Sequence, residues 1–307
     1  MGIDPVTLIV ALITVSTPVL LAAIGELVVE KTGVLNLGVE GMMVTGAVMG
    51  FVVAVNTGSP TLGFLAGMAS GVALSLIFGV LTQVLLSNQV ATGLALTLFG
   101  LGLSALLGVG YPGSTPPAVS DPFPAAMAEI PVVGPILFGH SMITYVSVLL
   151  VAAVWYVLGY TKTGLIIRAV GENHDAAHAL GYKVIRIRLM AIMFGGACAG
   201  LGGAFLSIVR VQNWVDGMTA GAGWIALALV VFASWKPWRA LLGAYLFGGV
   251  TALQLRLQAA GINIPVEILA MSPYLITIVV LVIMSSDRSR AALNAPAALG
   301  KVFHATG

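Results

Sequence analysis

Charge is scarce in this chain. Of 307 residues only 8% are Asp, Glu, Lys or Arg, whereas a soluble domain of this length carries roughly 25%. With 59% hydrophobic residues and a mean hydropathy of +1.07, the folded chain has too little polar surface for water. The bilayer is the solvent that suits it. Cysteine is nearly absent too: Cys198 stands alone in an apolar run, which excludes disulfides within the chain and cysteine metal sites. No Lys or Arg precedes the first apolar stretch, and that stretch is long enough to stay as a helix, so no cleaved signal peptide is expected. Catalytic motifs are missing as well. There is no Gly-x-Ser-x-Gly elbow, and a phosphate loop ending at Gly300-Lys301 lacks its earlier glycine because position 295 is Ala295. Gly100-Leu101-Gly102-Leu103-Ser104-Ala105 approximates a dinucleotide fingerprint but lies inside an apolar span with no strand before it.

What the chain has instead is long apolar runs. In hydrocarbon every main-chain N–H and C=O needs an internal partner, and continuous runs without period-2 alternation exclude a barrel. The expected fold is all-α: one polytopic transmembrane domain over 1–307. Nine spans are expected, at 6–24, 34–55, 62–86, 91–109, 142–158, 189–209, 224–235, 240–255 and 273–284. The run 224–235 is too short to cross alone, so it either extends back through 218–223 or is a half-helix inside the protein. Threading nine spans with the N-terminus outside puts eleven of the thirteen basic residues on one side (Lys31, Lys162, Arg168, Lys183, Arg186, Arg188, Lys236, Arg239, Arg288, Arg290 and Lys301). Arg210 and Arg256 fall on the other. By the positive-inside rule the N-terminus is extracytoplasmic, and the tail 287–307 is cytoplasmic.

Two loops stand out. The extracytoplasmic loop 111–140 holds Pro112, Pro116, Pro117, Pro122, Pro124, Pro131 and Pro135 and cannot be one regular helix. Its apolar end, 130–138, is a candidate for dipping back into the membrane. The cytoplasmic loop 159–188 is the most polar part of the chain. Within it Asn173 is placed to cap a short helix over 174–180, Asp175 sits in the first turn, and Gly181 suits the position just past its end. Such a helix is either an ordinary connector or a knob that docks into a partner. His174 and His178 have a zinc-like spacing, but Asp175 replaces the usual Glu and no third ligand is evident, so no metal is expected.

Several polar residues sit at membrane depth. A buried carboxylate there must be paired, protonated or facing water. Lys31 is positioned to neutralise Glu26 and Glu30 at a cytoplasmic helix end. Asn36 and Glu40, four apart, are expected on one helix face. Two roles are open to Glu40, clamping a neighbouring helix or lining the translocation path. Asn88, Gln89 and Thr92 begin a helix beside a glycine, and 219–223 before Trp224 has the same look; broken helices of this kind present free N–H and C=O groups to substrates. Trp224 is either an interfacial anchor or a platform for stacking a base. The substrate-path candidates are therefore Asn36, Glu40, Gln89, Thr92 and Trp224. Glycines recur every fourth residue at Gly63, Gly67 and Gly71, at Gly46 and Gly50, and at Gly196 and Gly200, a pattern that lets helices approach closely.

The run Arg168-Ala169-Val170-Gly171-Glu172-Asn173, followed by Ala176-Ala177 and Gly181, resembles the cytoplasmic coupling loop of the ABC importer permease family for branched-chain amino acids, ribose and nucleosides. Gly25-Glu26-Leu27-Val28-Val29-Glu30-Lys31-Thr32-Gly33-Val34-Leu35-Asn36-Leu37-Gly38-Val39-Glu40-Gly41-Met42-Met43 resembles the signature of the nucleoside (simple sugar) branch. The stretches 88–96 and 220–229 are similar to further blocks of that branch, and the resemblance runs over about 25–285. In length the chain is most similar to the shorter of the two permeases such systems use. The resemblance implies a permease in a bacterial inner membrane that is not itself an enzyme. It implies an ATP-binding partner that holds ATP and Mg and seats on Arg168, Ala169, Gly171, Glu172, Asn173 and Ala177. It also implies a second permease subunit and a substrate-binding lipoprotein outside; no nucleic acid is expected. The residues alone leave open an ion-coupled secondary transporter, for which only Glu40 qualifies as a coupling acid, and a membrane enzyme, for which no nucleophile, base and orienting group converge.

Overall fold

The computed structural model describes residues 4–259 and 294–304, with isolated positions between 265 and 282. The described residues are helix and loop, without a strand. In order they form α1 (Pro5–Lys31), α2 (Val39–Thr57), α3 (Pro60–Gly79) with a π-helical extension (Val80–Val84), α4 (Gln89–Gly108), the short α5 (Ala125–Ala128) and α6 (Val133–Phe138), α7 (Met142–Tyr160), α8 (Lys162–Glu172), α9 (His174–Ala179), α10 (Val184–Phe205) with a second π-helical extension (Leu206–Val211), α11 (Ala222–Phe232) and α12 (Pro237–Ala259). Seven of these helices, counting each extension with its helix, are long and apolar enough to cross a membrane. The expected ninth span, 273–284, lies outside the described residues except for isolated positions.

α1 is the axis. Asp4 starts it, accepting the Val6 and Thr7 N–H groups, with Pro5 at the first helical position. From Val15 to Glu30 every residue is buried, on all sides of the helix, which marks a core helix rather than a surface one. α10, α12, α11 and α7 pack around it. The helix runs seven residues past the expected end at 24, because Glu26 and Glu30 find partners inside the bundle.

The three glycine stripes meet on one seam. α10 packs against α3 and α2, and α2 against α3. A Cβ on Gly50 or on Gly67 would stand 2.6 Å from that of Ala204, and one on Gly63 would stand 2.7 Å from the Gly50 carbonyl. At Gly46, Gly71, Gly200 and Gly203 the obstacle is the facing backbone. Spacing predicted each stripe separately, and close packing is what the three share.

The two ends of the bundle differ. At one end Lys31 Nζ donates to the Asn294 carbonyl (2.9 Å), and Arg188 reaches Thr32, Gln83, His174 and Lys301. At the other, Asn56 donates to the Tyr111 hydroxyl (2.7 Å), Gly113 N–H to Asn213 (3.3 Å), and Trp214 packs beside Phe51. The chain returns between these ends by an irregular stretch after Trp214 and then by α11, which has only 11 residues. Of the two options for the short apolar run, the half-helix is the one seen. In the loop 111–140, α6 packs against α1, and Tyr145 donates to the Leu137 carbonyl (2.8 Å).

Candidate functional site

The expected span 34–55 is helical only from Val39. Residues 33–38 turn back into the bundle without regular structure, although Val34, Asn36 and Gly38 are buried. Gly33, at φ +85°, ends α1 and opens the turn. Apolar composition is satisfied equally by a helix and by this buried turn, so hydropathy does not separate them. The turn is tolerated because side chains satisfy its backbone. Gln89 Oε1 accepts from Leu35 N–H (2.8 Å), Glu26 Oε1 from Asn36 N–H (3.3 Å), and Asn36 Oδ1 from Gly38 N–H (2.9 Å). The Leu37 carbonyl accepts from Thr97 (3.1 Å) and from the Trp224 indole (3.4 Å). Asn36 therefore precedes α2, and it does not share a helix face with Glu40.

Glu40 sits in the first turn of α2, and both its oxygens are engaged. The Thr219 hydroxyl donates to Oε1 at 2.6 Å, Gly221 N–H to the same oxygen at 2.9 Å, and Gly223 N–H to Oε2 at 2.7 Å. These donors are the irregular lead-in and first turn of α11, where Ala220 and Gly221 both have positive φ. A carboxylate facing the free N–H groups of a helix start satisfies two rules at once, since it fills orphan donors and faces the positive end of the dipole. Glu30 makes a comparable bond from α1, accepting from the Trp235 indole at 2.6 Å. Lys31 makes no direct ion pair with Glu26 or Glu30, although its charge acts on Glu30 through space. Its ammonium turns to the Asn294 carbonyl, while the two carboxyls use Asn36 and Trp235.

Four of the five substrate-path candidates thus gather around the 33–38 turn: Asn36, Glu40, Gln89 and Trp224. Thr92 bonds instead to Ser87 (2.8 Å), beside the π-helical end of α3. Asn36, Glu40 and Gln89 are buried, whereas Trp224 is 46% exposed. Thr219 lies in the 219–223 stretch that the sequence marked as a broken helix start, whereas Thr97 and Trp235 were not singled out; only their buried partners reveal them. An apolar cavity of about 510 Å³ lies elsewhere, among Val28, Leu150, Val154, Ile167 and Phe194, with almost no polar group to orient a polar solute.

At the end that carries Lys31, α8 and α9 form a knob. Asn173 Oδ1 accepts from Ala176 N–H (2.9 Å) and caps α9, and Gly181, at φ +87°, closes it, as expected. Arg168, Glu172 and Asn173 are exposed, and Ala169 is half-buried. Gly171 and Ala177 face inward: Gly171 lies on the Lys31 carbonyl, and Ala177 joins a small apolar cluster with Val170, Val184 and Phe303. Leu180, 77% exposed, tips the knob. His174 and His178 flank the Phe303 ring at 5.4 and 5.3 Å. No group of three or more His, Cys, Asp or Glu side chains is arranged to hold a metal ion among the described residues.

The family model described as branched-chain amino acid transport system, permease component, matches residues 8–285. The chain belongs to this permease family. The permease is 43% identical to the putative glucose ABC transporter permease protein TsgC13 of Haloferax volcanii, covering 88% of this chain and 89% of that one. It is 32% identical to the guanosine ABC transporter permease protein NupQ of Bacillus subtilis (91% and 90% covered). It is also 32% identical to the nucleoside ABC transporter permease protein NupC of Lactococcus lactis (87% and 88%). A second, more distant permease from each of the first two organisms, TsgB13 and NupP, also matches, so these relatives come from systems with paired permeases. No solved structure matches the permease. The three stretches that carried the resemblance to the nucleoside branch, 25–43, 88–96 and 220–229, meet in space, apart from the fourth at 168–181. Gly93 abuts Leu37 and Gly38, and Gly223 abuts Glu40.

Proposed function

We propose that this permease is the membrane-spanning subunit of an ATP-driven importer for nucleosides or a related simple sugar. The observation that carries the reading is the family match together with the polar α8–α9 knob standing on one end of an apolar bundle. The chain forms one transmembrane domain in the cell membrane, surrounded by lipid. Its N-terminus and the loop 111–140 face outside; the loop 159–188 and the tail 287–307 face the cytoplasm. The clustering of Lys31, Arg168, Arg188, Lys236 and Lys301 around the knob supports that orientation. A separate ATPase subunit, which holds ATP and Mg, seats on the knob at Arg168, Glu172 and Asn173. A second permease, a different chain, completes the pathway, and a binding lipoprotein delivers the solute from outside.

Energy enters as the difference in the ATPase's affinity for inward- and outward-facing states. The broken-helix junction of the 33–38 turn, the α4 start and α11 is the element suited to such a change. It is held by side-chain bonds rather than by continuous helix, and the Trp224 face beside it suits a flat base or a sugar ring. Labelled nucleoside uptake in cells tests the reading. Arg168→Glu and Glu172→Lys, both on exposed positions, are expected to abolish uptake with the permease still in the membrane and lipoprotein binding intact. Uptake that survives deletion of the ATPase and follows a proton gradient overturns the reading in favour of a secondary transporter.

A further inference from the structure

The segment 294–304 lies between the knob and the end of α1 and is bonded to both. Lys31 Nζ donates to the Asn294 carbonyl (2.9 Å), Ala298 N–H to the Gly171 carbonyl (2.9 Å), and Gly300 N–H to the Gly33 carbonyl (3.0 Å). Phe303 is 4% exposed and supplies the largest side chain of an apolar cluster otherwise made by Val170 of α8, Ala177 of α9 and Val184 of α10. This cluster is separate from the core of the membrane bundle. α9 has six residues, too few to hold a helix by backbone bonds alone. Its shape depends on what it packs against, which is Phe303 together with Val170 and Val184.

Arg188 is the second piece. It is fully buried, and its guanidinium meets four separate segments. Nε donates to the Thr32 carbonyl at the end of α1 (3.1 Å), and Nη1 donates to Gln83 Oε1 at the end of α3 (3.3 Å) and to the Lys301 carbonyl (3.2 Å). Nη2 lies 3.3 Å from His174 Nδ1 of α9. A planar fork of five donors is suited to fixing several acceptors at set angles, which a flexible ammonium is not.

We infer that segment 294–304 is a strap that makes the knob and the bundle one mechanical unit, with Phe303 as its anchor and Arg188 as the positioning residue that passes displacement of α9 to α1 and α3. The inference rests on the reading that an ATPase seats on the α8–α9 knob and extends it to the outer face of α9. The partner meets the outer face of α9, where Asp175, Ala176 and Leu180 are exposed, and the strap holds the inner face. Without the strap the partner can still bind and hydrolyse ATP, but α9 moves against nothing.

The test uses the complete transporter, both permeases with the ATPase and binding protein, in proteoliposomes. Solute taken up and ATP hydrolysed are measured together. Phe303→Ala and Arg188→Gln are expected to lower uptake per ATP by about fivefold or more, the low end of coupling energies between linked sites, while ATPase remains bound and active. Equal proportional loss of uptake and hydrolysis, or no change in either, overturns the strap. Where Phe303→Ala does not assemble, Phe303→Leu keeps an apolar anchor but loses both ring contacts. A reduced uptake-to-ATP ratio then supports the strap, and an unchanged ratio overturns it. Failure of the unsubstituted complex to couple ATP to uptake counts against the importer reading itself, whereas a coupled complex that is indifferent to Phe303 and Arg188 counts only against the strap.

Discussion

Glu40 gives the sharpest prediction, because its two possible roles have different energetic signatures. Its carboxyl accepts three bonds, at 2.6, 2.9 and 2.7 Å, from donors at the start of α11. In Glu40→Gln one oxygen becomes an NH₂ group. Keeping the carbonyl toward Gly221 points that NH₂ at Gly223 N–H, and the flipped amide points it at Gly221 N–H. Either way one bond is lost and two donors face each other, at a cost of about 1–3 kcal/mol for the unsatisfied buried group. Glu40→Ala leaves three donors unmatched and costs on the order of 3–6 kcal/mol, less than three times one bond because the sites are coupled. Thr219→Val removes one donor and leaves Glu40 with two, a loss of about 0.5–1.5 kcal/mol. The expected order of destabilisation is Thr219→Val, then Glu40→Gln, then Glu40→Ala. Unfolding in mixed micelles can be followed with a thiol-reactive dye, since the chain's single cysteine, Cys198, is buried. Uptake is measured on the same variants and is expected to fall in step with stability. A Glu40→Gln permease as stable as the original but dead in transport would refute the clamp and place Glu40 against the cargo.

Other consequences are as direct. Gly203→Ala places a methyl group on the backbone of α2 at Met43 and is expected to destabilise by about 1–3 kcal/mol, whereas Gly102→Ala, with nothing within 4 Å, is expected to be neutral or slightly stabilising; the same micelle unfolding assay separates them. Trp235→Phe removes the indole donor from buried Glu30 and is expected to cost about 1–3 kcal/mol, read in that assay as well. Burial, and after it the Arg188 guanidinium, hold the His174 imidazole below the usual histidine range, with Asp175 opposing and Lys301 adding to the effect. The unfolded chain therefore binds a proton more readily than the folded one. The contribution of His174 is complete above the ordinary histidine pKa of about 6.5 and is lost as pH falls below it. The protection factors of amides 174–180, each rate taken relative to the intrinsic rate at the same pH, are expected to fall on acidification through that window, and His174→Gln is expected to flatten the response.

Features set by local chemistry were legible in the sequence. Apolar runs placed the long helices, Asn173 and Gly181 bounded α9, and four-residue glycine spacing marked the packing faces. Features set by contacts across the chain were not. The unwound turn at 33–38 reads as helix because Val34, Leu35 and Leu37 are apolar, and side chains such as Glu26, Gln89, Thr97 and Trp224 make its unpaired backbone tolerable. Glu26 and Glu30 read as a charged helix end because their partners, Asn36 and Trp235, lie beyond the helix. Arg188 reads as one more cytoplasmic positive charge, and its bond to Thr32 spans 156 positions. The two histidines illustrate the same limit. Their spacing is that of a metal site, and their neighbour in space is Phe303, more than a hundred residues on.

The most direct test of the central claim is solute accumulation in proteoliposomes that hold this permease, a second permease and the ATPase, with ATP on the ATPase side and loaded binding protein on the other. Labelled nucleoside or sugar is expected to accumulate only while ATP is hydrolysed, and not with a non-hydrolysable analogue or with an ion gradient alone. Accumulation by the permease without its ATPase, driven by a proton or sodium gradient, would contradict that claim.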